Sequence, residues 1–99
     1  MIIEGVDPRD IEWEADQPVY RVYFWHRPAA PPRVSQQHMG YHCEEYRLQG
    51  AVDVHEVINW ATTTARPEQT FTLYVEHLQD GQPGLIHLAG RDPTDPGLR

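Results

Sequence analysis

A stripe of apolar residues at helical spacing predicts one amphipathic helix over about residues 53–65. Its members recur at i, i+3, i+4, i+7 and i+11, a pattern suited to packing on a sheet; they are Val54, Val57, Ile58, Ala61 and Ala65. Asp53 and Glu56 form a capping-box pattern, which satisfies the first free N–H groups of a helix. Arg66 before Pro67 predicts its end, because the residue before a proline is disfavoured in helical conformation.

Alternating apolar and polar residues predict strands on both sides of this helix. Residues 19–26 are β-branched and aromatic, with apolar bulk on both faces, which indicates a strand in the interior of a sheet. Residues 44–49 predict a shorter strand, with Tyr46 and Leu48 inward. Residues 71–76 predict a half-buried strand whose hairpin partner is residues 85–89. The Asp80-Gly81 pair predicts the tight turn between them, since glycine can adopt the backbone conformation needed there.

The order strand, strand, helix, strand, strand predicts a single α+β domain over residues 1–99. Its sheet is expected to be largely antiparallel with four strands, or five if Ile2-Ile3 adds a short strand at one edge. One helix packs on one face of this sheet. The opposite face then needs another cover or stays in contact with solvent.

Three segments are not accounted for by the pattern of four strands and one helix. Residues 1–18 mix apolar and acidic positions, with Ile11 and Trp13 as candidate anchors. Residues 27–37 contain three prolines, which cannot join a sheet ladder, so we expect an exposed loop between two strands. A proline-rich docking segment is the alternative interpretation of this loop. Residues 91–99 are expected to form a frayed tail.

Composition favours a soluble, cytoplasmic protein that binds neither nucleic acid nor membrane. The single cysteine, Cys43, fits a reducing compartment. The chain shows neither a secretion signal at its start nor a run of about 20 apolar residues that could span a bilayer. Its net charge of −7 repels phosphate backbones and anionic lipid. Lysine is absent, which excludes a Schiff-base lysine and a phosphate-loop lysine.

No set of residues specifies an enzyme, and we expect no catalytic residue and no cofactor. The segment from His55 to Asn59 resembles the zinc-protease pattern H-E-x-x-H, but Asn59 replaces the second histidine and is a poor zinc ligand. Glu56 is already explained by helix capping. Glycine-rich phosphate loops, G-x-S-x-G and C-x-x-C are also missing from the chain.

His38, His42 and Cys43 are candidate metal ligands, in the loop that leads to the second strand. On a helical turn the two histidines would share a face, but Gly40 interrupts the helical pattern, and no second ligand pair follows at zinc-finger spacing. In a strand, residues 42 and 43 would point to opposite faces. The other interpretation is a polar loop that ends in a small buried cysteine. This region carries the alternative function: a small-molecule or metal-binding protein, or an enzyme.

The sheet face away from the helix is the leading candidate for function. The strand patterns place on it Arg21, Tyr23, Trp25, Tyr74 and His87. Tyr and Trp beside Arg are typical of protein-contact hot spots. Aromatic residues on an open sheet can also stack nucleobases, but the acidic net charge opposes that use. The cover is either the segment with Ile11 and Trp13, or a second copy, or another protein.

The leading hypothesis is therefore a small non-enzymatic protein that acts through protein contacts, as a regulatory or inhibitor module or as a homodimer. An acidic protein of this kind would suit a basic partner. Three segments together resemble a kind of short, uncharacterised actinobacterial protein: Tyr20 to Trp25, Asp53 to Ala61 and Leu88 to Pro93. This resemblance implies a bacterial, cytoplasmic origin and brings with it neither an activity nor site residues.

Overall fold

The computed structural model describes residues 1–7, 9 and 17–95, which form one four-stranded sheet with one α-helix. The elements follow the order β-β-α-β-β, and the predicted α+β fold is confirmed. They are β1 (Tyr20–His26), β2 (His42–Leu48), α1 (Val54–Thr64), β3 (Thr70–Gln79) and β4 (Gln82–Gly90), with a short 3-10 turn at Gln36–His38. No helix among the described residues is long and apolar enough to cross a membrane.

The strand order in the sheet is β2-β1-β3-β4, and every neighbouring pair is antiparallel. Strand β1 therefore lies in the interior, as its apolar bulk on both faces predicted. Because β1 is antiparallel to both of its neighbours, β2 and β3 run in the same direction. The chain leaves β2, passes through α1 and returns as β3 on the other side of β1, which is a split β-α-β unit.

The core lies between α1 and the two central strands. Asp53 caps the helix by accepting a hydrogen bond from the Glu56 backbone N–H at 3.0 Å, as predicted. Val57 and Ala61 form the buried part of the predicted stripe. The buried apolar cluster consists of Tyr20, Val22, Phe24, Ala51, Val57, Ala61 and Leu73. Trp60 adds to it by packing its ring 5.6 Å from that of Phe24, between centroids.

The β3–β4 hairpin turns at the predicted Asp80-Gly81 pair. Both residues have positive φ, 52° and 76°, as a type I′ turn requires. The pairing of β1 with β3 ends at Val75. Beyond that point the hairpin continues towards its turn as a two-stranded ribbon, which carries Leu78 and Leu85.

The structure corrects two expectations about the first half of the chain. Strand β2 begins at His42, two residues before the predicted start, so His42 and Cys43 belong to the strand and not to the preceding loop. Ile2-Ile3 forms no strand, and the two side chains are 89% and 81% exposed. The candidate anchors Ile11 and Trp13 lie outside the described residues.

The proline-rich loop and the beginning of the tail contain local structure. The Val34 N–H donates to the Pro31 carbonyl at 3.1 Å, and the Gln36 side chain bridges the Ala30 N–H and the Pro28 carbonyl, both at 2.9 Å. These bonds organise the loop between β1 and β2. In the predicted tail, residues 91–95 include a turn, and residues 96–99 lie outside the described range.

Replacing Gly90 with alanine should destabilise the fold more than the same change at Gly50. Both residues have similar positive φ, 80° and 77°, so both substitutions strain the backbone. Only at Gly90 would the new Cβ overlap a neighbour, the Phe71 carbonyl oxygen, whereas Gly50 faces open space. We expect a loss of about 1–2 kcal/mol for Gly50→Ala and about 2–4 kcal/mol for Gly90→Ala, measured by urea unfolding. Equal losses would contradict the close packing at Gly90.

Candidate functional site: the open face of the sheet

The structure brings the five predicted contact residues together on the sheet face away from α1, which we call the open face. Arg21, Tyr23 and Trp25 alternate along β1 with the residues buried under the helix. Across the sheet, Arg21 lies opposite Tyr74 of β3, and Tyr74 lies opposite His87 of β4. The alternation in the sequence was therefore sufficient to place these residues on one face of the sheet.

The aromatic side chains of the open face form a continuous row across three strands. The Tyr23 ring lies 6.2 Å from the Trp25 ring and 5.1 Å from the Tyr74 ring, between centroids, and the Tyr74 ring lies 5.6 Å from the His87 ring. These tilted and edge-on arrangements are favourable for aromatic pairs. The three larger rings are half-buried and His87 is exposed. One side of the row is thus held by its neighbours, and the described residues leave the other side partly exposed.

Trp25 is fixed by a hydrogen bond to the strand beside it. Its Nε1–H donates to Thr72 Oγ1 at 3.0 Å, and Thr72 is fully buried. The alternation along β3 indicated a half-buried strand with Thr72 on its polar face. Thr72 is on that face, but the neighbouring strand supplies a hydrogen-bond partner for its hydroxyl, which a buried polar group requires. The bond limits the orientations of the indole ring.

A charged cluster, Arg21, Arg47 and Glu76, borders the aromatic row. The Nε atoms of Arg21 and Arg47 each donate to Glu76 Oε2 at 2.7 Å, and Arg47 Nη2 donates to Oε1 at 3.0 Å. These hydrogen bonds lower the pKa of Glu76 from 4.5 to about 2. Those from Arg47 have the largest effect on the pKa, and that from Arg21 has the next largest. Sequence reasoning missed Arg47 and Glu76 as site residues. Their outward positions in the pattern were visible, but only the strand order shows that they flank Arg21.

Apolar residues of the hairpin ribbon extend the open face beyond the end of β1. Leu85 lies opposite Glu76, and Leu78 lies opposite Pro83. Leu85 is 40% exposed and Leu78 is 69% exposed. They border a shallow cleft of about 570 Å³, which Arg21 and Glu76 also line. The sequence could not reveal this extension, because it depends on where the pairing of β1 with β3 ends.

The structure does not bring the candidate metal ligands His38, His42 and Cys43 together. His38 lies in the 3-10 turn, and His42 lies opposite His26, with the two rings 5.2 Å apart between centroids. Cys43 lies opposite Trp25 and therefore points to the other face from His42. No group of three or more His, Cys, Asp or Glu side chains in residues 1–7, 9 and 17–95 could hold a metal ion.

Cys43 also lacks the properties of an activated nucleophile. It is exposed, which corrects the expectation of a small buried cysteine. Partial burial of its thiol raises its pKa, and the negative charges of Glu45, Asp92 and Glu44 add to this effect. A raised pKa lowers the fraction of reactive thiolate. The surroundings of Cys43 thus oppose covalent chemistry.

A larger cleft, of about 840 Å³, lies at the C-terminal end of α1, beside Phe71, Gly90 and Arg91. None of the described residues that line it is a His, Cys, Asp or Glu, and Arg66 at its rim pairs with Glu44 at 3.4 Å and with Glu68 at 3.0 Å. The cleft therefore shows no general acid–base pair. The open face remains the best-defined candidate site.

Comparisons of the chain with protein-family models, with curated proteins and with solved structures found no match.

Replacing Glu76 with glutamine should lower the stability of the fold at neutral pH, and the loss of stability should be smaller at acidic pH. The folded-state pKa of Glu76 lies below its ordinary value, so its charge contributes stability above about pH 4.5, which is lost as the pH falls through about 2. We expect a lower urea midpoint for Glu76→Gln than for wild type at pH 7, and a difference that shrinks towards pH 2.

Glu68→Gln is the control, because Glu68 forms an exposed pair with Arg66, and such pairs contribute little. It should change the urea midpoint by less than Glu76→Gln at pH 7. If the difference in urea midpoint between wild type and Glu76→Gln stays constant from pH 7 to pH 2, the charge of Glu76 does not stabilise the fold.

Proposed function

We propose that this chain is a non-enzymatic protein-interaction module, of a regulatory or inhibitor kind, that binds a protein partner through its open face. One observation carries the proposal: the rings of Tyr23, Trp25 and Tyr74 form a continuous row that the described residues leave half exposed. Tyrosine and tryptophan clustered beside arginine are the side chains that dominate binding energy in protein interfaces.

The open face is pre-organised, which favours binding. The hydrogen bond from Trp25 to Thr72 and the contacts of Tyr23 with two neighbouring rings restrict the side chains before a partner arrives. Association is opposed by the ordering of mobile side chains, about 0.5–1.5 kcal/mol for each one immobilised. Aromatic rings that are already held lose less of this freedom, so more of their contact energy is available as affinity.

The distribution of charge indicates what kind of surface the partner presents. On the open face, Glu76 pairs with both Arg21 and Arg47, and Glu45 lies opposite Tyr23, so the two positive charges are matched by two negative charges. The acidic excess is concentrated elsewhere, since residues 1–17 contain six of the fifteen acidic residues but only one of the eight arginines. A partner with an apolar groove bordered by basic residues would match both features.

Photo-crosslinking can test which face the partner contacts. Tyr74 in the full chain is replaced by a photoreactive benzoylphenylalanine, and the matched control carries the same group at Tyr46, which is 42% exposed on the helix side of the sheet. In an extract of cells that make the protein, we expect a discrete adduct from position 74 and none from position 46. Equal adducts at both positions, or adducts at position 46 alone, would contradict the proposal.

Competition with unlabelled protein measures the contribution of the aromatic row. Wild-type protein and a Val52→Ala variant, changed at a residue that is 81% exposed and outside the site, should suppress the adduct equally. A Tyr23→Ala competitor should need a concentration about 30-fold higher, since loss of a hot-spot side chain costs about 2 kcal/mol or more. Equal competition by all three proteins would show that Tyr23 contributes no binding energy.

A further inference from the structure

Two histidines face each other across the pairing of β1 with β2, on the side of the sheet away from the open face. His26, the last residue of β1, lies opposite His42, the first residue of β2. His26 alternates along β1 with Trp25 of the open face and follows Phe24, which is buried in the core beside α1, at the spacing of one face. The pair thus lies at the rim of the helix side and has no part in the proposed function.

The spacing of the two rings suits a shared metal ion. Their centroids lie 5.2 Å apart, and the ring planes are inclined at 65°. With Zn–N bonds of about 2.0–2.1 Å and a tetrahedral angle at the ion, the centroids of two imidazole ligands lie about 5 Å apart. The χ2 torsion of histidine has a broad minimum, so the rings can turn their nitrogens towards one point without moving the strands. The register of β1 and β2 therefore supplies the separation that a chelate requires.

One nitrogen of the pair lacks a hydrogen-bond partner. The Nδ1 atom of His26 is buried and forms no hydrogen bond with the described residues. Buried polar atoms are nearly always paired, and a bound ion is one of the partners that accounts for those that are not. This unpaired nitrogen, beside a second imidazole, is an indication of a ligand that does not depend on the spacing of the rings.

We propose that His26 and His42 together bind one divalent transition-metal ion, of the class that imidazole favours: Zn²⁺, Ni²⁺ or Cu²⁺. Water completes the coordination, because the described residues form no group of three or more His, Cys, Asp or Glu side chains that could hold a metal ion. With two protein ligands, the site should bind more weakly than a four-ligand structural zinc site. The inference is independent of the proposed function, because it concerns the helix side of the sheet and not the open face.

The carboxylate nearest to the pair along β2 is engaged elsewhere. Glu44 lies on the same face of β2 as His42, two residues further on, but its carboxylate accepts from the Tyr46 hydroxyl at 3.2 Å and from Arg66 Nη2 at 3.4 Å. It is therefore a neighbour of the site and not a third ligand. Because the net charge of −7 attracts cations in general, the test has to separate the two imidazoles from the acidic residues.

Calorimetric titration of the untagged full chain with ZnCl₂ tests the proposal. We expect one Zn²⁺ per chain for wild type. His42→Ala should weaken binding about 100-fold, because loss of an outer-shell partner alone weakens metal sites about 10–100-fold and this change removes one of two ligands. His42 is exposed at the start of an edge strand, so the variant should remain folded, which circular dichroism checks.

His38→Ala and Cys43→Ser are the matched controls. They remove the two other metal candidates of the sequence, and neither residue lies opposite His26. Both variants should bind zinc as wild type does. Excess MgCl₂ should not displace the zinc, because Mg²⁺ prefers oxygen ligands to imidazole.

Urea unfolding provides a second measurement. The two histidines belong to different strands, so the site exists only in the folded chain, and bound zinc should stabilise the fold. At a free Zn²⁺ concentration 100 times the wild-type Kd, the folding equilibrium constant of wild type should rise about 100-fold. That of His42→Ala, with its weaker binding, should rise only about twofold.

Four results would overturn the inference. They are a wild-type chain that binds no stoichiometric zinc, zinc binding that His42→Ala leaves unchanged, and zinc binding that His38→Ala or Cys43→Ser abolishes. The fourth is displacement of the zinc by excess MgCl₂, which would assign the binding to acidic residues.

Discussion

In the part of the chain that the structure describes, one α-helix of eleven residues has to cover a sheet of four strands, and the rest of the structure depends on this limit. A helix with its side chains is about 10–12 Å broad, whereas the outer strands of a four-stranded sheet are about 14 Å apart between their axes, with their own side chains beyond. The helix lies over β1 and β3, where Phe24 and Leu73 are fully buried. The helix-side core reaches the edge strands only in part, through Tyr46 and Leu48 of β2 and Ala89 of β4, and the opposite face is left to other means of stabilisation.

Side-chain contacts between neighbouring strands stabilise the open face. The carboxylate of Glu76 on β3 accepts hydrogen bonds from Arg21 on β1 and from Arg47 on β2, and Trp25 on β1 donates to Thr72 on β3. These contacts join three strands on a face where the described residues place no second helix. The same contacts hold the aromatic rings in position, as the proposed binding of a partner requires.

Local chemistry explains which parts of the fold could be predicted from the sequence. The Asp53 cap, the Asp80-Gly81 turn and the alternation along β1 each depend on residues close together in the chain, and each is seen as predicted. The same alternation was enough to assemble the five residues of the open face. None of these inferences required knowledge of which strands are neighbours.

The features that the sequence did not reveal all depend on contacts between distant segments. The burial of Thr72 requires Trp25 from another strand, and the role of Glu76 requires Arg47 from a third. The start of β2 at His42 follows from pairing with His26, which no local pattern indicates. An apolar pair such as Ile2-Ile3 suits a strand locally, but no neighbouring strand pairs with it in the part of the chain that the structure describes.

The proposed function requires that the open face is free for a second molecule and is not covered by the chain's own residues 10–16. NMR of the full chain with Ile11 and Trp13 both changed to alanine tests this requirement most directly. We expect the Trp25 indole and the Tyr74 ring to have the same chemical shifts as in wild type. The Trp60 indole, on the helix side of the sheet, is the control and should also keep its chemical shifts. Movement of the Trp25 and Tyr74 signals while Trp60 stays unchanged would contradict the proposal and assign the cover to the chain itself.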